Sequence, residues 1–562
     1  MIETSYRRVE LLDSVESYRE RIRARWTRIW GLMLVTLGAS MGAIIVIRFL
    51  APSALLYSPL VALAVLFVMA VPVIVWNNPR AGLYLLTLFA CICVQSPERR
   101  QRDPLEWLPF YWSGSVISEN YMGNPKALDF INFNYAELVM IMTVLFWLTR
   151  QITLRELKFY PGAFFPWLAL FAVWVCWGMF RGLTTGGSLV VALWEMRAQA
   201  YFFIAYLMAT HLVTERGHAI TLLWIMLVGI SMKSFVGTAN WIKNPNVTPD
   251  QGVLSHEDSL LMNLIFLGAL VFWLARQEPQ LKWAFLLMIP TALISSLANG
   301  RRAGIASFIV AFPAVVMLSA VLLKERRKAL IRFSVAFGLL TAIYLPIAWN
   351  GQGAWALPAR AIRSRTSPDA RDAASDAYRY AENANLKLTR DTSPWLGYGY
   401  GKPYIVAHTQ WGRVDPFANV LPHNGIYWVW MRLGHPGFVL FWMCVANVLI
   451  QGPMLMKRVQ DPRLQAIGIL SIAALLMLII YGEYDLSFAN YRPMWLTGTL
   501  LGVLAALPRI DAGQEAAKQT VSNTGDSPPP PEPPEAPDST LPPRRRLPWQ
   551  RQIPGWSPGT DW

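Results

Sequence analysis

The chain has 562 residues, of which 54% are hydrophobic and only 15% charged. A soluble protein of this size carries about a quarter charged residues, so the composition disfavours a water-soluble enzyme. Lys plus Arg (50) exceed Asp plus Glu (35) by 15, a surplus that in a membrane protein points to cytoplasmic loops and anionic lipids or phosphates before nucleic acid.

The first apolar run begins near Ile29, after a stretch in which Glu3, Glu10, Asp13, Glu16 and Glu20 mix with seven arginines. A cleaved signal peptide opens with a short basic start instead, so residues 1–28 read as an uncleaved cytoplasmic tail. Fourteen apolar runs follow, near 29–50, 54–76, 81–95, 134–150, 160–180, 193–213, 218–239, 259–275, 281–298, 303–323, 330–350, 436–452, 464–481 and 489–507. Runs of about 20 residues cross a hydrocarbon core of about 30 Å, which predicts an all-α polytopic membrane protein with about 12–14 transmembrane helices.

If the arginine-rich start is cytoplasmic, the even-numbered connections share its side. They hold Arg150, Arg155 and Lys158, then Lys324, Arg326, Arg327 and Lys328, then Lys457, Arg458 and Arg463, as the positive-inside rule asks. The third connection, with Arg99, Arg100 and Arg102, is the exception. The turn Asn299-Gly300-Arg301-Arg302 and the long connection 351–423 then fall on the outer face, with helices 1–11 over 29–350 and the C-terminal helices over 424–507. Beyond residue 507 the chain is dense in proline, from Pro528-Pro529-Pro530-Pro531 to Arg544-Arg545-Arg546. Such a chain buries too little apolar area to order itself, so 508–562 is expected to be a disordered cytoplasmic tail.

Cys91, Cys93, Cys176 and Cys444 each lie inside an apolar run, which argues against a disulfide or zinc site. His211, His218, His256, His408 and His435 sit in no ligand-like spacing, so neither a metal nor another cofactor is expected.

Three outer segments carry the residues with chemical potential. Arg301 and Arg302 place adjacent guanidiniums at a span junction on the less basic side; they suit either phosphate recognition or snorkelling to lipid headgroups. In the long loop, Ser367-Pro368-Asp369 reads as a helix start, with Ser367 as N-cap, and Thr392-Ser393-Pro394 as a stop. The predicted helix, 368–391, carries Arg371 and Arg379, the latter flanked at helical spacing by Asp376 and Glu382 in what also reads as a surface ion-pair ladder. After it, Gly397-Tyr398-Gly399-Tyr400-Gly401 permits close backbone approach to a ligand. Finally, in Pro422-His423-Asn424-Gly425, Asn424 is an N-cap for the aromatic helix that follows. His423 then sits at a helix N-terminus, where a neutral imidazole is favoured, able to accept a proton or simply to hydrogen-bond.

The Arg302 turn, the Arg379 loop ending in Pro-Trp-Leu-Gly-Tyr-Gly-Tyr-Gly, and Pro-His-Asn-Gly before Leu433-Gly434-His435-Pro436-Gly437 together resemble the O-antigen ligase and Wzy-type polymerase superfamily, over about 295–450. That resemblance implies an enzyme of the bacterial inner membrane acting on the periplasmic side, which makes 351–423 a periplasmic loop. It implies an undecaprenyl-diphosphate-linked glycan as donor and a lipid A-core sugar or a growing glycan end as acceptor. Membrane lipids and glycan-assembly proteins are further partners. His423 would orient or deprotonate the acceptor hydroxyl while Arg302 and Arg379 stabilise the departing diphosphate. Arg301 stands where a serine precedes the family arginine. No tryptophan closely follows Arg379, so Arg371 is its substitute. Arg181, Arg197 and Asn424 complete the substrate-binding candidates. The arginines would stand in for a divalent metal, and direct attack would invert the anomeric centre. A polysaccharide flippase is the competing reading, and it requires cationic residues lining the middle of several spans.

Overall fold

A computed structural model describes residues 19–20, 22–39, 59–93, 134–245, 252–351, 353–364, 366–408, 419–485 and 487–525. Its helices, in chain order, are α1 (residues 22–39), α2 (Pro59–Asn77), α3 (Pro79–Ile92), α4 (Tyr135–Leu154), α5 (Phe165–Thr184), α6 (Leu189–Leu212), α7 (Arg216–Lys243), α8 (Asp258–Ala275), α9 (Pro279–Asn299), α10 (Arg302–Leu322), α11 (Arg327–Ala348), α12 (Leu357–Arg363), α13 (Ala370–Asp391), α14 (Gly425–Arg458), α15 (Pro462–Tyr484) and α16 (Tyr491–Gly525). No strand occurs among the described residues, and ten of the helices are long and apolar enough to cross a membrane. The protein is therefore an all-α polytopic membrane protein, and every apolar run of the sequence overlaps a helix. The third connection, with its three arginines, lies outside the described residues.

Lipid tails are as apolar as leucine, so helices in a bilayer associate through close packing and internal polar contacts rather than through a hydrophobic drive. Both devices are present. Gly498 and Gly502, one turn apart on α16, let that helix rest on the backbone of Phe202 and Tyr206 in α6. Charged side chains inside the bundle meet opposite charges: Arg197 pairs with Glu137 at 2.8 Å, Arg432 with Glu195 at 2.6 Å, and Arg492 with Glu257 at 3.0 Å and also with Asp258, which faces Lys233 at 3.5 Å.

The two ends of the bundle differ. At one, the even-numbered connections are tied by polar contacts: Arg216 to Asp461 at 3.2 Å, Arg463 to Glu278 at 3.2 Å, Arg80 to the Leu212 carbonyl at 3.0 Å and Arg509 to the Thr210 carbonyl at 2.6 Å. The basic segment 323–328 belongs to this end by connectivity. The opposite end holds the links between α7 and α8, α9 and α10, α11 and α14, and α15 and α16, which together enclose a cavity.

Three sequence expectations need correction. The N-cap of α13 is Asp369 rather than Ser367; its side chain accepts the Asp372 N–H at 2.8 Å. That bond, helped by Arg360, Arg371 and Arg302, holds the Asp369 carboxyl below its usual pKa. Second, the apolar run at 436–452 is only part of α14, which starts at Gly425 directly after the expected Asn424 cap and breaks at Gly434, where φ is 67° and ψ is −172°. Third, α16 passes through Pro508 to Gly525, beyond the boundary that composition put at 507. The residues there, Gln514 to Lys518, are good helix formers that let a helix propagate past its apolar stretch. Compactness divides the chain into Met1–Gly513 and Gln514–Trp562. The second unit holds the end of α16, and 526–562, with the proline run, lies outside the described residues.

Candidate active site

The turn between α9 and α10 is built on Asn299. Its buried amide donates to the Ser255 carbonyl at 3.0 Å and to Ser259 Oγ at 2.8 Å, and its carbonyl oxygen accepts the Leu254 N–H at 3.1 Å. Gly300, with φ at 68°, ends α9 in the left-handed region, where glycine is the default. The chain reverses at once, and Arg301 and Arg302 emerge at the start of α10 above the 252–257 link.

Arg302 is held from three sides: Nη2 lies 3.1 Å from Asp376, Nε 3.6 Å from Asp372, and Nη1 donates to Ser364 Oγ at 3.3 Å. Arg379 lies 3.9 Å from the same Asp376 carboxylate. Burial, reinforced by Arg302, lowers the Arg379 pKa against the opposing pull of Asp485 and Asp376. Arg301 Nε is buried and has no hydrogen-bond partner among the described residues. Only the Asp376 half of the expected helix ladder forms. Glu382 is fully buried and turns to His423 instead, accepting its backbone N–H at 2.9 Å and its ring Nδ1 at 3.3 Å, with the Tyr378 hydroxyl at 3.3 Å as a third donor.

These groups surround one cavity of about 450 Å³. Arg301, Arg302, Arg371, Arg379 and His423, all singled out in the sequence, line it together. Sequence reasoning missed Arg360, His256, Glu483 and Asp485, which also line it. His256 belongs to a link that only the fold brings over, and its Nδ1 lies 3.2 Å from Asp485. With five arginines against Asp372, Asp376, Glu483 and Asp485, the cavity is a nearly charge-balanced site whose arginines are oriented by carboxylates. Arginine suits such a place because its planar fork can hold a structural carboxylate on one edge and offer the other edge to phosphate oxygens.

The remaining three candidates sit elsewhere. Arg197 is spent on Glu137 inside the bundle. Arg181 ends α5, outside the cavity lining. Asn424 caps α14 through the Tyr427 N–H at 2.9 Å and donates to Glu483 at 3.2 Å, one residue removed from the lining. The cations in mid-bundle are each engaged by a buried carboxylate, so they do not form the row of available charges that a glycan conduit requires.

The glycine-spaced segment has a structural role rather than a ligand-cradling one. Pro436 has no N–H, so the helix break at Gly434 leaves the Arg432 carbonyl without its helical donor. The Gly399 N–H fills that position at 3.0 Å, and the Tyr398 N–H reaches the Met431 carbonyl at 2.9 Å. His435 N–H, in turn, bonds to the Pro394 carbonyl at 2.7 Å. On the other side the Tyr400 N–H donates to the Gly178 carbonyl at 3.1 Å, and the Ser188 N–H to the Gly401 carbonyl at 2.8 Å. The strap thus locks α13 to α5, α6 and α14. Gly399 has φ at 82°, and a Cβ there would collide with the Gly182 backbone. Gly399→Ala is expected to cost at least about 2 kcal/mol, measured as a lower unfolding temperature of the purified protein together with reduced transfer.

A family model described as O-antigen ligase matches residues 283–442. No curated protein matches the chain. The matched segment contains all five sequence-predicted residues that line the cavity, the strap, and the helix break at Gly434 that receives it. Over this segment the chain is similar to the O-antigen ligase family.

Proposed function

We propose that the protein is a bacterial inner-membrane glycosyltransferase whose cavity opens to the periplasm and takes a glycan carried on undecaprenyl diphosphate. The observation that carries this reading is the meeting of Arg301, Arg302, Arg371 and Arg379 with His423 around one cavity. It lies at the end of the bundle away from the basic connections, and basic connections mark the cytoplasmic side. Arginine forks bind diphosphate oxygens in pairs, and they gain strength as cleavage of the anomeric C–O bond moves an electron pair onto the diphosphate. His423 takes the proton of the acceptor hydroxyl as that oxygen attacks the anomeric carbon. Attack opposite the leaving group inverts the configuration. The guanidiniums supply the positive charge that a divalent metal would otherwise bring. Electrostatic stabilisers of this kind contribute about 3 kcal/mol each, so Arg302→Ala should lower turnover roughly 100-fold. Removing Arg302 also frees Asp372 and Asp376, which repel the diphosphate, so Arg302→Lys should retain more activity than the alanine variant.

The test uses protein in nanodiscs with chelator, lipid-linked glycan extracted from cells lacking the protein, and two acceptor arms. One arm adds lipid A-core, the other only more donor. Transfer to lipid A-core identifies a ligase, and lengthening of the donor glycan identifies a polymerase. Product with retained anomeric configuration, or transfer abolished by chelation and restored by a divalent ion, would remove the mechanism proposed here.

A further inference from the structure

We propose that Glu382 is a positioning residue that fixes the tautomer and ring orientation of His423, so that the Nε2 lone pair faces the cavity. The inference rests on the reading of His423 as the proton acceptor. A histidine can take a proton from a hydroxyl only through an unprotonated nitrogen, and which nitrogen that is depends on the hydrogen bond made by the other. In this site the choice is dictated by a carboxylate. Glu382 has no solvent exposure and three donors converge on it: the His423 N–H, His423 Nδ1 and the Tyr378 hydroxyl. A carboxylate only accepts, so Nδ1 must carry hydrogen, and Nε2 is left bare. The double contact, through backbone and ring of one residue, also restricts rotation about the side chain. Tyr378 stands edge-on to the imidazole at 5.4 Å between ring centres and closes one flank. Sequence spacing hid this role, because Glu382 is one helical turn from Arg379 and reads as its ion-pair partner.

The acceptor proton moves from the hydroxyl oxygen to Nε2, giving an imidazolium whose charge Glu382 balances. The anomeric C–O bond breaks with its electron pair going to the diphosphate, and the proton later leaves to water. Glu382 itself exchanges no proton. The other charged or titratable groups lining this cavity are Arg301 and Arg302 at the start of α10, Arg360 on α12, Arg371, Asp372, Asp376, Arg379 and Tyr380 on α13, His256 before α8, Tyr481, Glu483 and Tyr484 at the end of α15 and Asp485 just after it, while Tyr378 flanks the imidazole. All of them persist when Glu382 alone is changed.

The experiment compares E382Q, E382D and H423A in nanodiscs, with the extracted lipid-linked donor and the acceptor arm that supports transfer. Glutamine keeps the size but offers His423 both a donor and an acceptor, so the tautomer is no longer forced. Expected for E382Q is a kcat lower by about 100-fold or more with the donor KM within about threefold. The acid limb of its pH profile should move to lower pH, because the lost carboxylate no longer favours the imidazolium. E382D should recover part of the rate and return the limb toward its wild-type position. A structural role alone would lower the yield of folded protein without moving that limb. The wild-type chain provides a check that needs no variant at 382. It has six histidines, so a sample labelled with 15N only in histidine, with His423 assigned by its loss in H423A, reports the tautomer directly. Nδ1–H with bare Nε2 near neutral pH supports the proposal, and the reverse tautomer overturns it. Wild-type kcat and pH midpoint in E382Q, with H423A inactive, would overturn it while leaving the proposed function intact. An active H423A would overturn both.

Discussion

His423→Ala is expected to reduce glycan transfer by at least 1,000-fold while leaving the protein folded. A positioned general base contributes about 100- to 10,000-fold, and the upper part of that range applies because no second imidazole is held in the same way. His256 shares the cavity but is oriented by Asp485 from another wall. The stability cost is small, since the imidazole is 28% exposed and makes one polar contact from its ring. Glu382 keeps the backbone N–H of residue 423 and the Tyr378 hydroxyl, so the carboxylate is not left bare. The measurement is product formation from the extracted donor, followed by mass spectrometry, beside the unfolding temperature of the same preparation. More than a tenth of wild-type transfer at an unchanged unfolding temperature would take His423 out of the chemistry.

Two kinds of information were unequally legible in the sequence. Whether a run of residues forms a span depends on local composition, so all fourteen runs overlap helices, and a capping signal as local as Asn424 is found where it was read. The cluster of Arg302, Arg379 and His423 was legible through short motifs with family counterparts, each tied to its own turn or helix start. What failed was pairing over distance. Arg197 meets Glu137 and Glu195 meets Arg432, and no spacing rule distinguishes these from the adjacent alternative. Glu382 was assigned to Arg379 because neighbours on a helix surface are the only partners a sequence displays; the imidazole that claims it arrives from another helix start. The glycines of the strap were read as room for a ligand, and the structure fills that room with carbonyls freed by Gly434 and Pro436. A glycine signals close approach but not what approaches.

Loss of the buried Arg432 charge should be severely destabilising. Arg432 and Glu195 are both fully buried and 2.6 Å apart. Arg432 also donates to the Gly399 carbonyl at 3.0 Å and the Val420 carbonyl at 3.1 Å, and Glu195 accepts the Gly401 N–H at 2.6 Å and Trp428 Nε1 at 3.1 Å. The pair therefore clamps the strap to α6 and α14, and through the strap it fixes the helix that carries Arg379 and Glu382. Removing one member of such a pair leaves an uncompensated charge and costs about 3–5 kcal/mol, whereas replacing both by uncharged groups of similar size is often tolerated. Arg432→Met is expected to lower the unfolding temperature sharply and to abolish transfer. Adding Glu195→Gln removes the stranded charge and keeps an acceptor for one of the two donors, Gly401 or Trp428, so it should recover part of the stability and part of the activity. If Arg432→Met alone costs less than about 1 kcal/mol, the pair is not the clamp; if the double variant is no better than the single, the damage comes from lost carbonyl contacts rather than from the stranded carboxylate.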